Sequence, residues 1–420
     1  MVEPSATLGC GCLLKAAFAV LLVAAAVRAS PLVYKTIQSD DGDVIDCVDV
    51  YQQPALKLAS PAGKRGIQAA PERSASASVL KPHQHQTWRK HGSCPAGTVP
   101  IRRESSRANP EVAELVRRSS PFGRPGSADR FNQFGRHAGS LFNQSDMAAP
   151  PGGQVEVAAS YATNGPYLGA RADVPYWKVD VHPNEFSMNY ILVGHTLDTN
   201  YRPMPGAKPP TDLTNQIAVG LVAWPSLFGD SLSRLFVYYT TDGGARVNCF
   251  NLDCGGFHLV DTTPFALGAA WSNFDSQVGG DRNAVTFRIY RDPAGENWWV
   301  SVMDKDIGYY PETKFNTRFP EAVYVEMGGR VLDSRPGGKH TTTPMGSGVF
   351  SCAGTRFAAT IMEYFGIASD GTIFLDQADR TITTTPSCYG ARSIGFSTKR
   401  SGYYVSYGGP GGIYCDQPDQ

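Results

Sequence analysis

Few residues in this chain have the types and spacing that chemistry needs. The stretch "VYVEMGGRVLDS", Val323 to Ser334, sets an acid, Glu326, and a guanidinium, Arg330, on either side of a Gly-Gly pair. An arginine stays charged and serves neither as a carboxylate base nor as a carboxylic acid, so which way Arg330 points bears directly on function. "GENWWVSVMDKDIGYYP" gathers Trp298, Trp299, Tyr309 and Tyr310, whose rings are suited to stacking on sugars or prolines. Strand alternation sends Trp298 and Trp299 to opposite faces, so one of them is equally suited to filling a core.

Other reactive groupings are weaker. His83 and His85 in "HQH" lack a third ligand nearby and read as surface histidines. Cys249 and Cys254 lack the second pair that a closed tetrahedral zinc site requires. No metal is expected. The chain has no phosphate-cradling glycine loop followed by Lys-Ser/Thr, no H-E-x-x-H and no G-x-S-x-G. Nucleotide and common hydrolase chemistry are therefore unsupported, and no cofactor is expected.

The elements that position these residues fall into zones. At 420 residues the chain has room for two or three domains. Lys+Arg and Asp+Glu are both 38, so no net field draws the protein to nucleic acid or to an anionic membrane. Residues 1–29 read as a secretory signal peptide, with an apolar core from Ala16 to Val27 ahead of the A-x-A-like Val27-Arg28-Ala29. The mature protein is expected to be secreted, in the extracellular space or cell wall, with no membrane attachment.

Residues 30–103 read as a small β-containing domain, residues 104–153 as a basic, flexible linker with a glycosylation sequon at Asn143, and residues 154–420 as an all-β domain. The last zone holds ten or more short period-two apolar runs separated by Gly, Pro, Asn and Asp. So many strands pack economically as two antiparallel sheets face to face, a β-sandwich of jelly-roll type. Loss of the signal removes Cys10 and Cys12 and leaves seven cysteines, an odd number, in an oxidising compartment. Local spacing favours Cys249 with Cys254 and Cys388 with Cys415, although spacing alone cannot fix connectivity.

Nearly the whole mature chain resembles the neprosin family of plant secreted proteins. "DGDVIDCVDVYQQPAL" and "HQTWRKHGSCPAGTVPIRR" resemble its activation peptide. "YLGARADVPYWKVDVHPNEFS", "RLFVYYTTDG", "CFNLDCGGF", "RDPAGENWWV", "IGYYPETKF", "HTTTPMGSG" and "YYVSYGGPGG" follow in the order of its peptidase domain. The resemblance implies a propeptide over 30–103 packed on a β-sandwich. Active members are glutamic endopeptidases that cut after proline at acid pH, with two glutamates whose environments hold their pKa values apart.

The segment resembling the family's I-E-A-G-W reads "IAVGL" here, and the one resembling W-G-G-E-V reads "MGGRV". Ala218 and Arg330 thus stand at the two catalytic positions, and Leu221 and Met327 replace tryptophans. No intact catalytic residue is expected. Glu185 and Glu326 lie in matching motifs and are expected to be structural. Spacing together with the resemblance implies disulfides Cys47–Cys94, Cys249–Cys254 and Cys388–Cys415, with Cys352 left over.

The expected function is that of a pseudopeptidase whose cleft binds extended, proline-containing peptides, Trp298, Trp299, Tyr309 and Tyr310 being candidate cleft residues. The competing readings are a working acid endopeptidase and a carbohydrate-binding sandwich of the cell wall.

Overall fold

In the computed structural model the described residues are 32–57, 67–69, 71, 80, 84–106, 108–111, 122, 153–163, 165–196, 214–244, 246–261, 263–271, 275–292, 294, 297–315, 319–368, 373–374, 380–398 and 402–416. The signal segment, His83 and Asn143 lie outside them. Strands β1 (Val33–Gln38), β2 (Val44–Asp49) and β3 (Thr98–Arg102) form a three-stranded antiparallel sheet. The remaining strands are β4 (Gln154–Ala162), β5 (Gly169–Pro175), β6 (Ser187–Thr196), β7 (Thr214–Ala223), β8 (Arg234–Thr240), β9 (Cys249–Phe250), β10 (His258–Leu259), β11 (Ala284–Arg291), β12 (Trp298–Val302), β13 (Lys305–Tyr310), β14 (Tyr324–Asp333), β15 (Ala359–Ile367), β16 (Ile373–Phe374), β17 (Arg380–Thr383), β18 (Gly390–Ser397) and β19 (Gly402–Gly408).

These make two antiparallel sheets. One has seven strands in the order β17-β4-β14-β6-β7-β8-β9. The other runs β10-β13-β12-β11-β5-β15-β19-β18, with β16 paired to β15. The mainly β, two-sheet architecture is the one the sequence patterning predicts. Its core forms because alternate residues of each strand face the opposing sheet. Ile191, Val193, Ile217, Val219, Leu221, Val325, Met327 and Val331 from the seven-stranded sheet join Ala172, Val174, Phe287, Ile289, Trp298, Val300 and Ile361 from the other in one buried cluster.

The opposite parity of the seven-stranded sheet builds a second apolar cluster on its outer face, including Met188, Tyr190, Leu192, Ala218, Val222, Tyr324 and Leu332. β7 is accordingly buried at every position, which suits its nearly continuous apolar run. Two glycines permit close strand packing here. A Cβ at Gly220 would lie 2.0 Å from the Asn189 carbonyl, and one at Gly328 would lie 2.4 Å from that of Ala158.

The N-terminal sheet docks through buried polar contacts. Arg234, fully buried, donates to both oxygens of Asp43 and to Asp230, while Arg102 donates to Asp43 at 2.7 Å. Gln86 and Ala266 exchange two hydrogen bonds of 2.8 Å, and Gln53 does the same for Leu259 at 2.7 and 2.9 Å. Side chains here satisfy backbone groups that have no strand partner at the contact. Disulfides join Cys47–Cys94, Cys249–Cys254 and Cys388–Cys415, and Cys352 is free and exposed. These are the expected pairs.

Candidate functional site

Antiparallel register places Ala218 and Arg330 on the same outer face. Glu326 pairs with Leu192, and Leu192 with Ala218, so Ala218 shares a row with Glu326 two strands away. Arg330 lies four residues further along β14 and has the same parity. Between them is the row Gly328–Tyr190–Gly220, in which the phenol of Tyr190 is flanked by two residues without side chains.

Tyr190 organises this face. Arg330 Nε donates to its hydroxyl at 2.8 Å, and the hydroxyl donates in turn to Glu326 Oε1. Arg330 Nη2 also reaches Glu326 Oε1, at 2.6 Å, an i,i+4 ion pair along the strand. The three groups are buried, Arg330 being 6% exposed and Glu326 1%. Burial would lower the Arg330 pKa, but Tyr190 and Glu326 together raise it above the usual guanidinium value. Burial pushes Tyr190 well above the ordinary phenol value.

A ring closes over the guanidinium. Phe122, within the segment the sequence suggests as a solvated linker, is fully buried among the outer-face aromatics. Its centroid is 4.9 Å from Arg330 Cζ, 4.9 Å from Tyr190 in edge-to-face contact, and 4.7 Å from Tyr238. A cation over an aromatic face is attracted by the ring quadrupole, most strongly when desolvated. Two acceptors on the same face, Glu326 Oε2 and Gln216 Oε1, are buried without hydrogen-bond partners among the described residues. Gln216 spends its amide nitrogen on Tyr324 Oη, at 2.7 Å. Each is an acceptor whose desolvation is uncompensated.

The four aromatic candidates require correction. Trp298 and Tyr310 belong to the inter-sheet core, and Trp299 and Tyr309 to a separate cluster with Val260, Tyr290 and Ile367. All four are at most 3% exposed, so none offers an accessible ring. Strand alternation divides Trp298 from Trp299 as expected, but both resulting faces are covered. Gln68 N donates to Tyr309 Oη at 3.1 Å, and Ile67 packs on the Trp299 cluster.

Glu185 is buried and accepts from Ser334 N and Oγ, Thr341 Oγ1 and Thr343 Oγ1, a fastening role. Leu221 and Met327, at the expected tryptophan positions, point into the inter-sheet core rather than onto the face of Ala218 and Arg330. Sequence reasoning missed Tyr190, Gln216 and Phe122. The first two were detectable by carrying the β14 parity across to β6 and β7, whereas nothing local marks Phe122.

A family model described as Neprosin matches residues 183–410, and one described as Neprosin activation peptide matches residues 36–137. Among solved structures, a scytalido-glutamic peptidase with a transition state analog inhibitor is 8% identical, covering 61% of this chain and 98% of its own at a TM-score of 0.28. SCP-B, a member of the eqolisin family of peptidases in complex with the tripeptide Ala-Ile-His, is 8% identical, covering 61% and 97% at a TM-score of 0.27. Likeness at this level carries no argument. The neprosin match alone spans more than half of the sequence, and the chain belongs to the neprosin family.

Proposed function

We propose that this protein is a secreted pseudopeptidase that binds an extended, proline-containing peptide on the outer face of its seven-stranded sheet without cleaving it. The carrying observation is Arg330. It stands where the family resemblance places a catalytic glutamate, and it is locked to Tyr190 and Glu326 beneath Phe122. Ala218, at the other position, has no proton to transfer. Losing one general acid or base costs roughly 10²–10⁴ in rate, so loss of both leaves little catalysis. The oxygens of Glu326 and Gln216, buried and unpartnered among the described residues, would meet backbone N–H groups once Phe122 leaves its seat, and the packing of that ring against Tyr238 supports a place for a proline ring there.

Secretion is part of the same proposal. It is supported by the three disulfides and the N-terminal signal pattern. Among the described residues no helix is long and apolar enough to cross a membrane.

The test is incubation of wild type and Phe122→Ala with proline-containing peptides from pH 3 to pH 8, following cleavage by mass spectrometry and binding by calorimetry. No cleavage by either protein, with tighter binding by Phe122→Ala, is expected. Robust cleavage by the wild-type chain overturns the proposal.

A further inference from the structure

Away from the outer face, the interior holds a grouping with more acid than base. Glu156 near the start of β4, Asp333 at the end of β14, and His340 in the segment after β14 are 3%, 1% and 3% exposed. Their ligating atoms all lie within 4.8 Å of one another. Three stretches of chain separated by up to 184 residues converge there.

The orientation of His340 is informative. Its Nδ1 lies 2.8 Å from the carbonyl oxygen of Thr341, which can only accept, so Nδ1 carries the proton. Nε2 faces the two acids, 3.0 Å from Glu156 Oε2 and 3.9 Å from Asp333 Oδ2, a position from which either a proton or a metal ion on Nε2 bridges to the carboxylates. Two carboxylates and one imidazole nitrogen thus converge, and a divalent cation in place of the bridging proton neutralises both acids. A histidine whose second nitrogen donates to a backbone carbonyl is also the usual arrangement of a metal-bound imidazole.

The nearest guanidinium is committed elsewhere. Arg335 Nη1 is 3.6 Å from Asp333 Oδ2 but is engaged by Asp416 Oδ1 at 2.6 Å. Glu185, bonded to Thr341 Oγ1, adds another buried carboxylate nearby. Cys388 Sγ is 3.8 Å from His340 Nδ1 and, being in a disulfide, offers no thiolate.

We propose that Glu156, Asp333 and His340 form a structural site for a zinc-like divalent cation, clamping the start of β4 to the end of β14 and to the chain that follows. Zinc bonds of about 2.0–2.2 Å set neighbouring ligand atoms about 3.0–3.5 Å apart. The two His340 separations are 3.0 and 3.9 Å and the two carboxylates lie within 4.8 Å of each other, so binding draws the carboxylates inward. One imidazole and two carboxylates suit a borderline first-row ion better than Ca²⁺, which takes six to eight oxygens. Water completes the coordination.

The experiment uses the full chain, expressed through a secretory route in zinc-supplemented medium. Metal content is measured by elemental analysis, and Zn²⁺ is titrated back after chelator dialysis in mild denaturant and return to buffer. About one tightly held zinc per chain is expected, with Tm rising as zinc is restored. Glu156→Gln and His340→Gln should each weaken binding about 100-fold or more, since even supporting residues around metal ligands cost 10–100-fold. The absence of saturable zinc binding in the wild-type chain overturns the proposal without recourse to variants. So does unchanged affinity in both variants, which assigns the zinc to another surface, or an NMR signature of doubly protonated His340 in zinc-saturated protein.

Discussion

At the scale of single residues, the outer face depends on a buried charge pair that tolerates simultaneous removal better than halving. Arg330→Met leaves Glu326 as an uncompensated carboxylate at 1% exposure. The expected loss is about 3–5 kcal/mol in urea unfolding, with much of it recovered in the double variant Arg330→Met/Glu326→Met. A double variant no more stable than the single one would refute the coupling. Restoring the family's carboxyls as Ala218→Glu/Arg330→Glu should give detectable cleavage of proline-containing peptides only at acid pH. The introduced acid replaces the partner of Glu326, and adjacent carboxyls favour the state in which one holds a proton. Leu221 and Met327 lie on the opposite face and do not touch this pair, so a silent variant assayed from pH 3 to pH 7 counts against the assigned positions.

At the scale of elements, the N-terminal sheet is held by a pH-dependent clasp. Burial would raise the Asp43 pKa, but Arg234 and Arg102 outweigh it and hold the carboxyl below its ordinary value. A depressed folded-state pKa means that the stabilisation is complete above the unfolded value of about 3.9 and is lost as pH falls through the folded value. Hydrogen exchange should therefore show β1–β3 loosening below about pH 4 before the seven-stranded sheet does. Asp43→Asn should show the loosening at neutral pH as well; identical acid profiles for the two proteins would place the clasp elsewhere. Within the sandwich, the Gly220→Ala methyl would meet the Asn189 carbonyl at 2.0 Å. Forcing β6 and β7 apart should cost about 1–3 kcal/mol, read as a lowered Tm.

At the scale of the whole molecule, residues 104–153 are rich in arginine, with Arg117-Arg118 a basic pair, and short of the periodic apolar residues that build sheets. Trypsin is expected to cut there before it cuts inside residues 160–400. First fragments arising within 160–400 would move the domain boundary. Such a cut beside Phe122 bears on function, because that ring packs against Tyr190, Tyr238 and Arg330. Cleavage at Arg117-Arg118 should strengthen peptide binding, as is expected of Phe122→Ala, and unchanged affinity after a verified cut would separate the ring from control of this face.

The sequence by itself marked many of the strands, though not β4, β5 or β18, together with the two-sheet class and the family, because period-two patterning and the order of local motifs are properties of short segments. It also pointed to Ala218 and Arg330, because "IAVGL" and "MGGRV" resemble the family segments that carry the catalytic glutamates. Only the tertiary structure decided what surrounds them. The Arg330–Tyr190–Glu326 grouping depends on pairing across β14 and β6, with 140 residues between Arg330 and Tyr190. Phe122 carries no local mark that distinguishes a seated ring from a solvated one. Trp298, Trp299, Tyr309 and Tyr310 look like a binding surface when read locally, yet they are covered by the opposing sheet or by residues near Ile67. Likewise Glu156, Asp333 and His340 become neighbours only when β4 pairs with β14. Burial and long-range register are set by what packs on a strand, and that information lies in distant parts of the chain.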